Sequence, residues 1–449
     1  MRKPNTTLPY ISSSLGVCCC LLLNSKATAA INYWDPTGSS GNSGTTGTWE
    51  GSFWSTAVGG TASPGAFAEG SLPVFSAGVG TAGLTYTITA NANHTIAGLF
   101  NGGINGDRWG NVTVNGPGIL SIASGFQGFL TTNGASTFIN AQLAGTGGVQ
   151  TQGGGSTYLY GNNSYSGGTQ LNTGAGLNFN NNNSFGTGSI QWGTAQTTTT
   201  STVLATPDAT GPITIANSVL ANRGTQIFAG VAAAPVTFSG SWTLPSVGTT
   251  ATFQNVTASG HTGPSKVTIS GAIGGAGNLT LNGTGQTILK GANTYTGTTT
   301  VGGTATITLG TANTIASSSK LVLSGATLDP DGHIHSMGTT TLGLTVNSKI
   351  DFGTGPAELD FANSSGQTWA GLINLANWDS LKDTITFGTD TTGLTSAQES
   401  DFLVNGVATQ AFLDPSGHLE FVPEPSTTAL GVIGGFGMLM AWMRKRKSA

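Results

Sequence analysis

The chain has 449 residues, 71 of them Gly, with 7% charged residues and a formal net charge of −4, where globular proteins carry ~25% charged residues and ~7% Gly. Gly and the similarly abundant Thr disfavour helix, through backbone entropy and a stiff χ1, and a hydrophobic content of 37% argues against disorder. No basic stripe is available to neutralise phosphates, which excludes nucleic acid as a partner; a long, turn-rich, neutral β protein is what remains.

Residues 1–30 open with Arg2 and Lys3, continue through the apolar run 11–23 and end in the small residues Ala27-Thr28-Ala29-Ala30. That order predicts a secretory signal peptide cut after Ala29 or Ala30, with the secretion machinery and signal peptidase as partners. Leu15-Gly16-Val17-Cys18 approximates a lipobox, but Val17 is bulky before the acceptor and the apolar run continues past it. The three Cys are the neighbours Cys18, Cys19 and Cys20, so the body has no disulfide framework, thiolate nucleophile or cysteine metal site.

Residues 31–77 gather Tyr33, Trp34, Trp49, Phe53, Trp54, Phe67 and Phe75, an aromatic N-terminal cap whose rings either pack together or stack on sugars. Gly78-Val79-Gly80-Thr81-Ala82-Gly83 matches the dinucleotide fingerprint, which requires a following helix. Leu84-Thr85-Tyr86-Thr87-Ile88-Thr89 alternates as a strand instead, so no cofactor is expected.

From 78 to 349 the chain repeats itself. Gly153, Gly155, Thr157, Leu159, Gly161, Asn163, Tyr165, Gly167 and Thr169 recur as Gly283, Gly285, Thr287, Leu289, Gly291, Asn293, Tyr295, Gly297 and Thr299. Identity at every second position is what one face of a β-strand imposes. The unit resembles the autotransporter-associated β-strand repeat of bacterial surface proteins. Residues 275–301 form a good copy and 145–171 a looser one, with Val149 in place of Leu279. Short strands such as 112–114, 213–215, 266–269 and 320–323 are divided by Gly, Asn and Ser turns, and the Asn180–Asn183 run reads as a polar corner. The expected fold is all-β: a right-handed parallel β-solenoid, or β-helix, of degenerate Gly/Thr/Asn-rich repeats, with a tandem of β-sandwiches as the competing architecture. At roughly 20–25 residues per coil, about 14–17 coils make a rod of ~70–80 Å.

Chemistry-bearing clusters are sparse. His333 and His335 point to one face if the strand is continuous, a weak candidate for a metal pair, although Pro330 and Gly332 suggest a solvated corner. Asp351, Glu358 and Asp360 alternate later in the chain. Between Glu69 and Asp329 the only acids are Asp107 and Asp208, too few for the paired carboxylates of a polysaccharide-cleaving solenoid. The expectation is no enzyme, no catalytic residue, no cofactor and no metal.

Residues 350–421, with Phe352, Phe361, Trp369, Trp378 and Phe387, read as a C-terminal cap. In 422–449, Pro423-Glu424-Pro425 precedes an apolar run, 427–443, and then Arg444-Lys445-Arg446-Lys447. Such a run is at the short limit for crossing a ~30 Å hydrocarbon core as a transmembrane helix, and the basic cluster holds its end in the cytoplasm. Alone this is a membrane anchor. Motif, span and basic tail together resemble the PEP-CTERM sorting signal of Gram-negative bacteria, matched residue for residue by Pro423, Glu424 and Pro425. That resemblance implies an exosortase-type membrane protease as partner, a transient inner-membrane anchor and an association with exopolysaccharide. No autotransporter β-barrel is expected after residue 420. The expected function is a non-enzymatic cell-surface or extracellular-matrix protein of a biofilm. A glycan-binding adhesin is the second reading and a polysaccharide-active enzyme the third.

Overall fold

The computed structural model describes residues 29–36, 46–57, 62–75, 84–102, 110–132, 134–172, 174, 176–192, 201–222, 224–315 and 320–422. The expected signal peptide (save its last two residues), the glycines 78–83, Pro423, Glu424 and Pro425, the run 427–443, and Arg444, Lys445, Arg446 and Lys447 lie outside them. Among the described residues no helix is long and apolar enough to cross a membrane.

Short strands stack in parallel into long sheets, as expected for a solenoid rather than a row of sandwiches. One sheet of 13 strands runs from 47–48 to 342–346, a second of 11 from 54–55 to 273–275, and a third of 10 from 213–215 to 407–408. Two three-stranded sheets extend the pattern, one at 94–96, 120–122 and 143–145, the other at 334–336, 358–361 and 384–387. Each coil contributes two or three strands to these sheets, and within the stack a strand pairs in parallel with its counterpart one coil earlier.

Alternation decides which residues enter the core. Ile88, Val114, Ile139, Leu159 and Phe179 follow one another in register on the 13-stranded sheet, all fully buried. Each apolar side chain withdrawn from water in this way contributes ~1.5–3 kcal/mol. Thirteen strands at ~4.8 Å give this face a length of about 58 Å. Coils are less uniform than expected. Ser136 faces Ser156 and Ser156 faces Gly176, a coil of 20 residues, whereas Trp242 faces Ile273, a coil of 31. The difference arises where strands lengthen, as at 224–230 and 250–257, and where corner loops are inserted.

Both ends are closed by departures from parallel pairing. At the N-terminal end, 31–34 pairs antiparallel with 54–55. Trp34, Trp49, Trp54, Phe67 and Phe75 pack there in tilted and edge-to-face pairs, with Trp54 5.0 Å from Trp49 and 4.9 Å from Phe67. These rings are buried against one another, which removes them as sugar-stacking surfaces. At the other end the parallel ladder continues through 373–376 to 402–404, well inside the segment 350–421. The antiparallel strand 407–408 and the hairpin of 411–413 with 419–421 then finish the stack. A single helical turn, 396–399, is fixed by a capping box between Thr395 and Gln398.

Candidate binding face

The repeated residues are the parts that hold one coil to the next. Asn163 Oδ1 accepts from the Leu143 N–H (2.8 Å) in the coil before, and its Nδ2 donates to Ser184 O (2.8 Å) in the coil after. Asn293 does the same with the Ile273 N–H and Thr314 O. The Tyr165 hydroxyl bonds Thr169 Oγ1 at 2.6 Å, and Tyr295 bonds Thr299 Oγ1 at the same distance, all four residues buried. A Cβ on Gly161 would stand 2.3 Å from Ala141 O, and one on Gly291 2.3 Å from Gly271 O, so the coils meet backbone to backbone there. Gly145 and Gly275 turn corners at φ 98° and 108°, a region open to glycine. In the Asn180–Asn183 run, Asn181 Nδ2 donates to Tyr160 O and Asn183 Nδ2 to Asn162 Oδ1 (2.7 Å), the expected polar corner.

The positions between the repeated residues differ. Phe138 and Tyr158 are register partners on the outward side of the 13-stranded sheet, their rings stacked at 4.1 Å with 19° between planes. Tyr160 stands edge-on to both, 5.5 Å from Tyr158 at 82°, and its hydroxyl donates to the exposed Asp208 carboxylate. Burial first, then the Asp208 carboxylate, pushes the Tyr160 phenol well above its ordinary range. All three rings are half-buried. Toward the N-terminal end the same outward side carries only short polar groups: Thr48, Thr87, Thr89, Thr113 and Asn115. The sequence points to sugar stacking only as an alternative for the cap aromatics, not for these three rings. The legible signal was Tyr158 and Tyr160 at the alternating positions that the repeat leaves free.

A second feature not anticipated is His94. Its ring stacks on Trp49 and joins two carboxylates, Nδ1 to Glu69 Oε1 (2.7 Å) and Nε2 to Glu50 Oε1 (3.1 Å). Glu50 also accepts the N–H groups of Asn91 and Ala92, each at 2.7 Å. Burial opposes ionisation of Glu50, but the hydrogen bonds from Ala92, His94 and Asn91 outweigh it and bring its pKa down to about 2. The arrangement ties the cap to the first full coil.

His333 and His335 do not share an extended strand. Asp331 and Gly332 form a left-handed turn (φ 52° and 69°), and only 334–336 is a strand. His335 is buried, with Nδ1 accepting from the Asn313 N–H (3.2 Å) and Nε2 donating to Pro330 O (3.1 Å), so both nitrogens serve the fold; burial lowers its pKa. No group of three or more potential ligands gathers among the described residues. Glu358 and Asp360 share an outward side of one strand, next to Ser336, whose Oγ donates to Asp360 (3.2 Å). Burial and the Asp360 charge raise the Glu358 pKa. Asp351, bonded to Lys349 and Asn377, belongs to a different sheet. At the C-terminal end Trp378, Asp383, His418, Glu420 and Phe421 line an open groove. No family model, curated protein or solved structure matches this chain.

Proposed function

We propose that the chain is an exported, non-enzymatic surface protein: a right-handed β-solenoid displayed on the cell or in the extracellular matrix of a Gram-negative-type bacterium. Export runs through the signal peptide 1–30. An exosortase-type protease then acts at Pro423-Glu424-Pro425, with 427–443 as transient anchor and Arg444–Lys447 as its cytoplasmic stop. The observation that carries this reading is the stack itself. Its coils are joined by main-chain ladders and by neutral Asn, Thr and Tyr contacts that need no ion, and many of its outward strand positions are Thr, Asn or Gln, as at Thr85, Thr113, Asn115, Gln150 and Gln254. Such a surface suits a hydrated polysaccharide matrix, where low charge avoids binding polyions. Pro423 and Pro425 lack backbone N–H donors, a sequence property that disfavours helix and sheet, and Glu424 between them is the motif's polar handle. Cell fractionation with mass spectrometry of the surface-exposed protein tests the proposal. Peptides stop near Ser426, and Glu424→Ala accumulates a full-length membrane form. Mature protein that retains Arg444–Lys447 at its C-terminus sinks the sorting step.

The glycan-binding reading stands second, favoured by the outward rings of Phe138, Tyr158 and Tyr160.

A further inference from the structure

The geometry points to a ledge for a neutral, flat-faced glycan at the step between the coil of 110–115 and the coil of 136–140. Phe138 and Tyr158 stack as register partners on adjacent strands, so their planes stand across the long axis of the rod. One face of Phe138 is covered by Tyr158. The other is turned toward its register partner on the preceding coil, Thr113, and beyond that Thr87. Both threonines are short and partly exposed. The outward surface therefore rises from a low polar floor to an aromatic wall. A pyranose lying over Thr113 sets its axial C–H face on the Phe138 ring, a contact that favours apolar hydrogens against a π surface.

The floor supplies hydroxyl partners. Asn140 Nδ2 donates to Asn115 Oδ1 (2.7 Å), and Asn115 Nδ2 and Asn140 Oδ1 take no partner among the described residues. The hydroxyls of Thr87 and Thr113 flank them. Charge sets the class of glycan. The segments 84–89, 110–115, 136–140 and 156–160 contain no Asp, Glu, Lys or Arg, and Asp208 is engaged by Tyr160 on the far side of the wall. Among the described residues of these strands a polyuronate finds no cation to offset its desolvation.

The solenoid does not need these rings. At the equivalent places 130 residues later stand Thr268, Ile288 and Lys290, on coils that stack equally well. The occupant is thus an uncharged, β-linked gluco- or manno-configured chain, whose residues present flat faces.

This deepens the surface-display reading, which concerns only where the chain meets its glycan. The test is affinity electrophoresis of the exported full chain, taken from the cell surface or, in detergent, from the membrane fraction. Gels contain hydroxyethyl cellulose, glucomannan or alginate. The wild-type chain is retarded by at least one neutral polymer and not by alginate. Phe138→Leu, which keeps apolar bulk on Tyr158 but loses the flat face, weakens retardation roughly tenfold, and Phe138→Trp retains it. Should Phe138→Leu lower the melting temperature, Asn115→Ala on the floor takes its place and also weakens retardation. Free migration in both neutral gels, retardation by alginate alone, or equal retardation of wild type and these variants overturns the ledge. A chain found on the surface that binds neither polymer removes the ledge and leaves display standing. A chain that binds but stays inside the cell does the reverse.

Discussion

The copies at 145–171 and 275–301 make the same contacts on different faces of the rod. Residues 148–152 lie in the 11-stranded sheet, but their counterparts 278–283 lie in the 13-stranded one. Residues 156–159 lie in the 13-stranded sheet and 286–289 in the 10-stranded. Yet the Asn bridges, the Tyr–Thr hydroxyl pairs and the close Gly contacts coincide. The unit is therefore a rule for joining one coil to its neighbours, indifferent to which face it falls on. What differs is the side between the repeated positions: Tyr158 and Tyr160 in one copy, the covered Ile288 and the exposed Lys290 in the other, with Phe138 and Thr268 on the preceding coils.

The largest effect comes from breaking the shared inward side. Leu159 and Leu289 are fully buried and centrally placed in their ladders. Leu159→Asp and Leu289→Asp each place a carboxylate in an apolar core and should lose about 4 kcal/mol or more, read by chemical unfolding. A cost in one copy alone means that the two are not equivalent. Next come Gly161→Ala and Gly291→Ala, where the new methyl meets a carbonyl oxygen at 2.3 Å in both cases. Overpacking of this kind should cost ~1–3 kcal/mol at each site. A neutral result at either says that the coils separate there without strain. Tyr165→Phe and Tyr295→Phe remove one buried hydroxyl contact each and should cost ~1 kcal/mol, with the two values alike.

Much of this was legible in the residues, for a physical reason. Identity at every second position exposed both the strand and its inward face, and Gly with Asn marked the corners. The phase of the coils was hidden, because corner insertions set which face a unit reaches and carry no pattern of their own. The cap aromatics were found but their direction was not, since a run of Trp and Phe reads alike whether it faces in or out. His94 escaped notice because Glu50 and Glu69 are 44 and 25 residues away from it and meet it only through stacking of coils.

Acid should separate the cap from both copies. Residues 145–171 contain no Asp, Glu, Lys, Arg or His, and 275–301 carries only Lys290 among these types. Glu50, by contrast, is held at about 2 in the folded chain, below its ordinary 4.5. A carboxyl with a lowered folded pKa contributes stability that is complete above the ordinary value and is lost as pH falls through the folded one. Between pH 4.5 and 2, hydrogen exchange should therefore rise first at the Asn91 and Ala92 amides, while those of 157–159 and 287–289 remain protected. Glu50→Gln should show the same local loosening at neutral pH. Simultaneous loss of protection in cap and repeats would show that His94, Glu50 and Glu69 hold nothing of their own.

The smallest effect is the sharpest test of the outward side. Lys290 follows the buried Leu289 and is exposed, the counterpart of Tyr160 after Leu159. No carboxylate lies within salt-bridge distance of it among the described residues. Reversing its charge by Lys290→Asp changes a solvated group for another and should shift stability by less than about 0.5 kcal/mol. Tyr160→Lys, the reciprocal change, loses the edge contacts to Phe138 and Tyr158 and the bond to Asp208, and should cost more, ~1 kcal/mol. If both substitutions are equally silent, the aromatic cluster contributes nothing to the coil beneath it, and its rings remain for contacts outside the chain. If Lys290→Asp is as costly as Leu289→Asp, the alternation of inside and outside that organises the rod is wrong at that strand.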